Sequence, residues 1–258
     1  MTYGEYLRLD ELLALQQPRA GEPEHDEVLF IVVHQVYELW FKEVLHELDY
    51  FNRLLTGSDA PRAQHTLKRV LTIFKILVAQ LDILETMTPV EFLTFRDRLE
   101  SASGFQSYQF RELEFALGAK RASALDRYET DSAEWRRLEA RLVAPSLWDT
   151  FLNYLAHLGY PIPTELLQRD FSQPNPASEE VQEILVGVYK TDPATTDLCE
   201  RLTDLDEGLQ EWRYRHVKMV ERTIGSKRGT GGSPGVEYLR KTLFKPLFPD
   251  LWAIRSEL

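Results

Sequence analysis

The sequence predicts an all-α chain, and three observations carry that prediction. Apolar residues recur at steps of three and four through most of the length, the spacing of one buried helix face. No run alternates apolar and polar residues as a half-buried strand would. The long periodic runs are bounded by Gly or Pro, the residues that stop helices. Asp26 to Thr56 holds neither, and Phe30, Val33, Tyr37, Trp40, Val44, Leu48 and Phe51 form its stripe before Gly57. Pro61 to Thr86 repeats the pattern with Leu67, Val70 (or Leu71), Phe74, Leu77, Leu81 and Leu84. Thr88-Pro89 with Glu91 marks a helix start: a hydroxyl cap, a proline at the first position and an acid in the first turn. That helix should reach about Leu99. Another should follow from Gly104 to Leu117.

Asp131 to Leu142 and Leu147 to Leu158 read as helices separated by Pro145, and residues 159–178, with four prolines, as a surface excursion. Glu179 to Tyr189 is a shorter helix. From Asp197 a long one runs to Ile224, with Leu202, Leu205, Leu209, Trp212, His216, Met219 and Thr223 on one seam. Gly225 ends it and opens a loop with five glycines in the eleven residues 225–235. A last amphipathic stretch holds Tyr238, Leu239 and Leu243. No internal repeat or shift of composition marks a boundary, so residues 1–258 are expected to form one domain with one core.

Composition narrows the function classes. The chain is 43% hydrophobic and 28% charged, with 30 basic against 41 acidic residues and a net charge of −11. Such a surface repels free nucleic acid, and no dense basic run offsets it. A single cysteine, Cys199, excludes an intrachain disulfide framework, a Cys-based zinc site and c-type haem attachment. The longest apolar stretch, Val28 to Val33, is far short of a membrane span. The start of the chain shows no apolar signal core, and a cytoplasmic location is expected.

Four places stand out as carriers of chemistry. His216 sits where its stripe asks for an apolar residue. It reads either as a hydrogen-bonded core histidine or as a ligand to a metal or haem, since a helical core suits a flat apolar cofactor. His34, four residues after Phe30 and four before Glu38, is packed or functional on the same logic. The glycine loop follows neither a phosphate-loop nor a dinucleotide pattern, and its composition suits a closing lid, with Lys227 and Arg228 as anion contacts. Phe92 and Arg96 share a helix face, an aromatic beside a guanidinium that is either a surface ion pair or a carboxylate grip. One Glu-x-x-His spacing, Glu43 to His46, falls short of the two that a di-iron bundle needs. No His-Glu-x-x-His zinc motif and no Gly-x-Ser-x-Gly elbow occurs.

Read together, five blocks resemble the haem-dependent tryptophan 2,3-dioxygenases. They are Thr2–Leu13, His25–Lys42 (with His-Gln-Val-Tyr-Glu-Leu-Trp-Phe-Lys), Leu84–Pro89, Phe95–Ser107 and Arg215–Gly232. The resemblance implies an all-helical subunit in a homotetramer, a dimer of dimers, each subunit holding one haem b. It implies cleavage of the indole C2–C3 bond of L-tryptophan by O₂ to N-formyl-L-kynurenine, the first step of the kynurenine pathway of tryptophan catabolism. His216 matches the proximal iron ligand and His34 the distal histidine facing the indole N–H, the catalytic position. Phe30, Ile31, Val32 and Val33 match the pocket wall. Phe92, Ser103 and Thr230 match substrate contacts, and Arg96 matches the arginine on the substrate carboxylate. Tyr6 and Leu7 match pocket residues, and Tyr3 a tyrosine contributed by a neighbouring subunit.

The chain also departs from the pattern. It begins almost at the first block, without the N-terminal extension common in relatives. Val33 replaces a polar residue, Pro234 stands where a second Ser is usual, and 170–196 is Pro-rich and short. These departures leave two other readings open: a relative that oxygenates a substituted tryptophan, or a haem-binding protein without turnover.

Overall fold

A computed structural model describes residues 1–19, 24–100, 102–230 and 235–258. Every regular element among the described residues is helical. Two five-residue helices, α1 (Tyr3–Leu7) and α2 (Leu9–Leu13), precede the first long one, α3 (His25–Thr56). α4 (Ala60–Leu84) starts under Asp59, whose side chain accepts from the Arg62 N–H. α5 (Pro89–Arg96) begins with the expected cap: Thr88 and Glu91 bond each other's backbone N–H reciprocally. It tightens into a 3₁₀ turn at Asp97–Leu99. The expected helix from Gly104 is split. A 3₁₀ turn covers Gly104–Gln106, Ser107 is extended, and its hydroxyl caps α6 (Tyr108–Ala116).

After a 3₁₀ segment at Ala122–Arg127 come α7 (Ala133–Val143) and α8 (Leu147–His157), each under a serine cap. The excursion holds one short helix, α9 (Thr164–Leu167). α10 (Glu179–Thr191) leads into α11 (Pro193–Ile224), then α12 (Val236–Arg240) and α13 (Pro249–Ala253). α11 starts four residues before the expected Asp197. Asp192 accepts from the Thr195 N–H and Pro193 opens the first turn, so the proline begins this helix and does not break it.

α3, α4 and α11 are the frame. α4 packs against both of the others along the Leu67–Leu84 stripe, all of it buried. α5, α6 and α8 pack on α3, while α5, α10, α12 and α13 pack on α11. One apolar cluster runs through all the long helices. A satellite of Phe115, Ala124, Leu125, Leu138 and Leu142 lies under α6 and α7. At 1.5 Å per residue, each of the two 32-residue helices is about 48 Å long, so side chains on them are held by many turns on either side.

Candidate active site

A cavity of about 250 Å³ lies between α3 and α11. α4 and α5 wall one side, and α6 with the 3₁₀ turn at Gly104–Gln106 another. α12 and the loop residues Gly229 and Thr230 complete it. Its lining is mainly apolar and aromatic, which suits a flat hydrophobic ligand.

His216 faces this space from α11. It is half-buried and lines the cavity wall. Burial pushes the imidazole down to about 4, with further lowering from the charges of His34 and Arg111. It is therefore neutral near pH 7, the form that binds a metal. Trp212, one helical turn earlier, stacks on it with ring centroids 5.1 Å apart and planes 8° from parallel. Trp212 is itself fixed edge-on by Tyr37 and Phe41 and packed against Phe110.

His34 faces the same cavity from α3. Its Nδ1 lies 2.7 Å from the Phe30 carbonyl oxygen, which can only accept, so Nδ1 carries the proton. Nε2 is left as an acceptor. Burial lowers the pKa, partly offset by the Phe30 bond and the charge of Glu38. The Phe30 ring packs against His34 at 4.0 Å and is held in turn by Phe92 and Phe95.

Arg96, at the end of α5, meets the glycine loop. Its Nη2 donates to the Arg228 carbonyl at 2.5 Å, while its Nε is buried without a partner. Thr230 donates its hydroxyl to the Ala102 carbonyl at 2.6 Å. Phe92 and Ser103 line the cavity nearby. Gly235 closes the loop on itself: at φ +68°, a Cβ there would stand 2.7 Å from the Lys227 carbonyl oxygen. Gly231, Gly232, Ser233 and Pro234, and with them the Pro234 departure, lie outside the described residues.

The structure thus gathers Phe30, His34, Phe92, Arg96, Ser103, Thr230 and His216 around one cavity. Six other expected residues do not line it. Ile31, Val32 and Val33 are turned away by the 100° step of the helix that points Phe30 and His34 inward. Val33 is buried toward α4, where its carbonyl accepts from Gln80 at 3.0 Å. Tyr3, Tyr6 and Leu7 lie on the surface of α1, exposed by 76%, 73% and 41%.

Two features went unread in the sequence. One is the Trp212–His216 stack, whose i,i+4 spacing was available as a signal. The other is a buried ionic hub on Glu114, joined by Arg111 at 2.5 Å, Arg121 at 2.7 Å and Arg213 at 3.0 Å. Burial alone would raise the Glu114 carboxyl; Arg111, Arg121 and Arg213 outweigh it and hold it below the usual range. Nothing in the pattern links α6 to an arginine 99 positions later.

No group of three or more His, Cys, Asp or Glu side chains among the described residues could cage a metal ion. Two neutral imidazoles, His216 and His34, face this apolar cavity, and one neutral imidazole is enough for an iron whose other ligands come from a macrocycle. Two arginines that line the cavity, Arg96 and Arg111, have buried Nε atoms without acceptors, so the site suits a ligand with acceptor atoms. Haem and an amino acid together answer both requirements.

A sequence model of tryptophan 2,3-dioxygenase matches residues 1–141 and 180–258. The chain belongs to the tryptophan 2,3-dioxygenase family. It is 60% identical to the tryptophan 2,3-dioxygenase of Herpetosiphon aurantiacus over 258 residues, covering 100% of this chain and 98% of the relative. That of Anaeromyxobacter dehalogenans is 57% identical, covering 100% and 96%. That of Bacillus cereus is 46% identical, covering 100% and 93%. The cofactor of the tryptophan 2,3-dioxygenases is haem, and the residues gathered here fit it. The segment outside the family match, 142–179, is α8 with the Pro-rich excursion, away from the cavity. No helix among the described residues is long and apolar enough to cross a membrane.

Proposed function

We propose that this chain cleaves the indole C2–C3 bond of L-tryptophan with O₂, placing both oxygen atoms in N-formyl-L-kynurenine. The observation that carries this reading is the pairing of His216 and His34 across one apolar cavity, with Arg96 and Thr230 at its glycine-loop edge. Residues 1–258 act as one domain. His216 would hold haem b, one per subunit. Bound haem supplies the redox chemistry of O₂, and no external reductant is consumed because both oxygen atoms enter the product.

The chain's own residues bind and orient. Arg96 exchanges its Arg228 acceptor for the substrate carboxylate, a stronger charge-assisted partner. Thr230 sits beside it for the ammonium and carboxylate, and Ser103 and Phe92 bound the same space. His34 accepts the indole N–H on Nε2, its tautomer fixed by the Phe30 carbonyl. Because an indole N–H is a very weak acid, this bond orients the ring and does not remove the proton. Phe30 and its aromatic neighbours exclude water and hold the ring near O₂, which is catalysis by proximity. A store for haem would need no carboxylate grip, and Arg96 separates the two readings.

The exposed aromatics of α1 support a shared site. Tyr3, Tyr6 and Leu7 complete a neighbour's pocket in a homotetramer, a dimer of dimers, and leave their own chain's cavity alone. The enzyme works in the cytoplasm, where one buried thiol and no disulfide need no oxidising compartment. The deciding experiment is product identification by mass after incubating reduced, haem-loaded protein with L-tryptophan and ¹⁸O₂. Two labelled atoms in one product are expected; a single labelled atom or no product refutes the reading.

A further inference from the structure

Asp206 lies on α11, ten residues before His216 and about 15 Å along the same helix. It is wholly buried and pairs with no cation among the described residues. Its Oδ2 instead gathers three N–H donors from the C-terminal segment: Leu247 N at 2.8 Å, Phe248 N at 3.0 Å and Trp252 Nε1 at 2.9 Å. Gln210 donates to Oδ1 at 2.9 Å. A buried carboxylate without a counter-ion is costly unless donors converge on it, and an apolar side chain would fill the space more cheaply. What this one adds is direction: it fixes where the chain returns to α11 after α12.

That return point matters because the stretch just before it is cavity wall. Gly235, Tyr238, Leu239 and Thr242 line the cavity, and Thr242 stands five residues before Leu247. α12 is a five-residue helix with one buried residue, Val236, too short to hold itself in place. Beyond Leu247 the chain is firmly seated: Phe248 stacks on Trp148, and Asp250 accepts from Ser178 N and Gln182. We propose that Asp206 is a positioning residue that sets the α12 wall of the cavity relative to His216, so that one helix carries both the haem ligand and the anchor of the wall facing the substrate. This rests on the function proposed above for the identity of the ligand.

The test uses full-length, haem-loaded protein. Asp206→Ala removes the acceptor, and Asp206→Asn keeps one of the same shape. In the alanine variant, amide exchange at 236–242 and at Leu247 and Phe248 should quicken at least tenfold. KM for tryptophan should rise at least fivefold, with kcat and the haem spectrum within twofold of the parent. The asparagine variant should restore both within twofold. Should the alanine variant not fold, Trp252→Phe, which deletes one donor, should give a smaller change of the same pattern. Unchanged exchange overturns the proposal. So does faster exchange with unchanged KM, or a fall in kcat that matches lost haem. If the parent binds no tryptophan, the proposed function fails; exchange at 236–242 in the two Asp206 variants then decides the positioning role alone.

Discussion

Replacing Arg96 by alanine tests the substrate end of the site. The guanidinium lies partly buried at the cavity edge, with Nε unsatisfied and Nη2 on the Arg228 carbonyl. Losing one partner of a desolvated charge pair costs roughly 2–4 kcal/mol. The carbonyl bond surrendered on substrate binding, itself made by a charged donor, offsets part of this and moves the expectation toward the lower end. At 1.36 kcal/mol per decade, kcat/KM for tryptophan should fall roughly 30- to 900-fold. Arg96→Lys keeps the charge but loses the planar fork and should fall between the parent and the alanine variant. The assay is steady-state turnover of tryptophan and tryptamine by haem-loaded protein. Tryptamine lacks the carboxylate, so the parent should use it poorly and Arg96→Ala should discriminate far less. Arg96 also tethers the loop, and the same comparison separates the two roles: loss of the tether alone would lower both substrates in parallel. A parallel fall, or equal turnover of the two by the parent, refutes the grip.

His216→Ala should lose the Soret band while circular dichroism still reports helix; a variant with the parent's ferrous spectrum would remove the ligand assignment. His34→Ala should slow tryptophan roughly 5- to 30-fold, the worth of one hydrogen bond of about 1–2 kcal/mol, and slow 1-methyltryptophan less. Complete inactivity of a haem-replete, substrate-binding His34 variant would instead make it an obligatory base. The haem-free protein should weaken in acid through His216. Its native pKa of about 4 lies below the ordinary 6.5, so the unfolded chain binds the extra proton between those values. This contribution is complete above pH 6.5, is lost as pH falls toward 4 by about 3 kcal/mol, and is flat below. Urea melts of the parent and His216→Leu at pH 7, 5.5 and 4 measure it; a stability difference independent of pH contradicts it.

What the sequence disclosed follows from the length over which a pattern can repeat. α3, α4 and α11 carry seven or so stripe positions each, and their core faces agree with the burial of Val44, Leu48, Leu67, Leu77, Leu202 and Leu209. α1, α2, α9 and α13 span five residues or fewer and cannot show a period of 3.6. For α1 the Thr2–Glu5 capping box was the available sign. Pro193 opens α11 by the same rule by which Pro89 opens α5. At the site, His216 stood out as a polar residue on an apolar seam, yet a core histidine and a ligand share that signature. The cavity that His216 lines is what supports the ligand reading. The Glu114 hub joins α6, the extended residue Arg121 before the following 3₁₀ segment, and α11, and no local pattern encodes such a contact.

The two ends of the site are built with different stiffness, and their tasks explain the difference. His34 and His216 stand on 32-residue helices, each ring packed against an aromatic neighbour on its own helix, Phe30 or Trp212. Haem must be held in one pose through every turnover, and rigid packed elements give that precision. Arg96 and Thr230 are placed by the eight-residue α5 and by the glycine loop. Their tethers are single bonds to neutral carbonyls, of Arg228 and of Ala102. A neutral carbonyl holds a guanidinium less strongly than a carboxylate, which adds ion-pair attraction and a two-pronged geometry. On the proposed reading, the incoming amino acid displaces these bonds with a net gain. A stronger internal partner, such as an acid on the loop, would compete with the substrate for Arg96. The tether is strong enough to prearrange the grip and weak enough to release it.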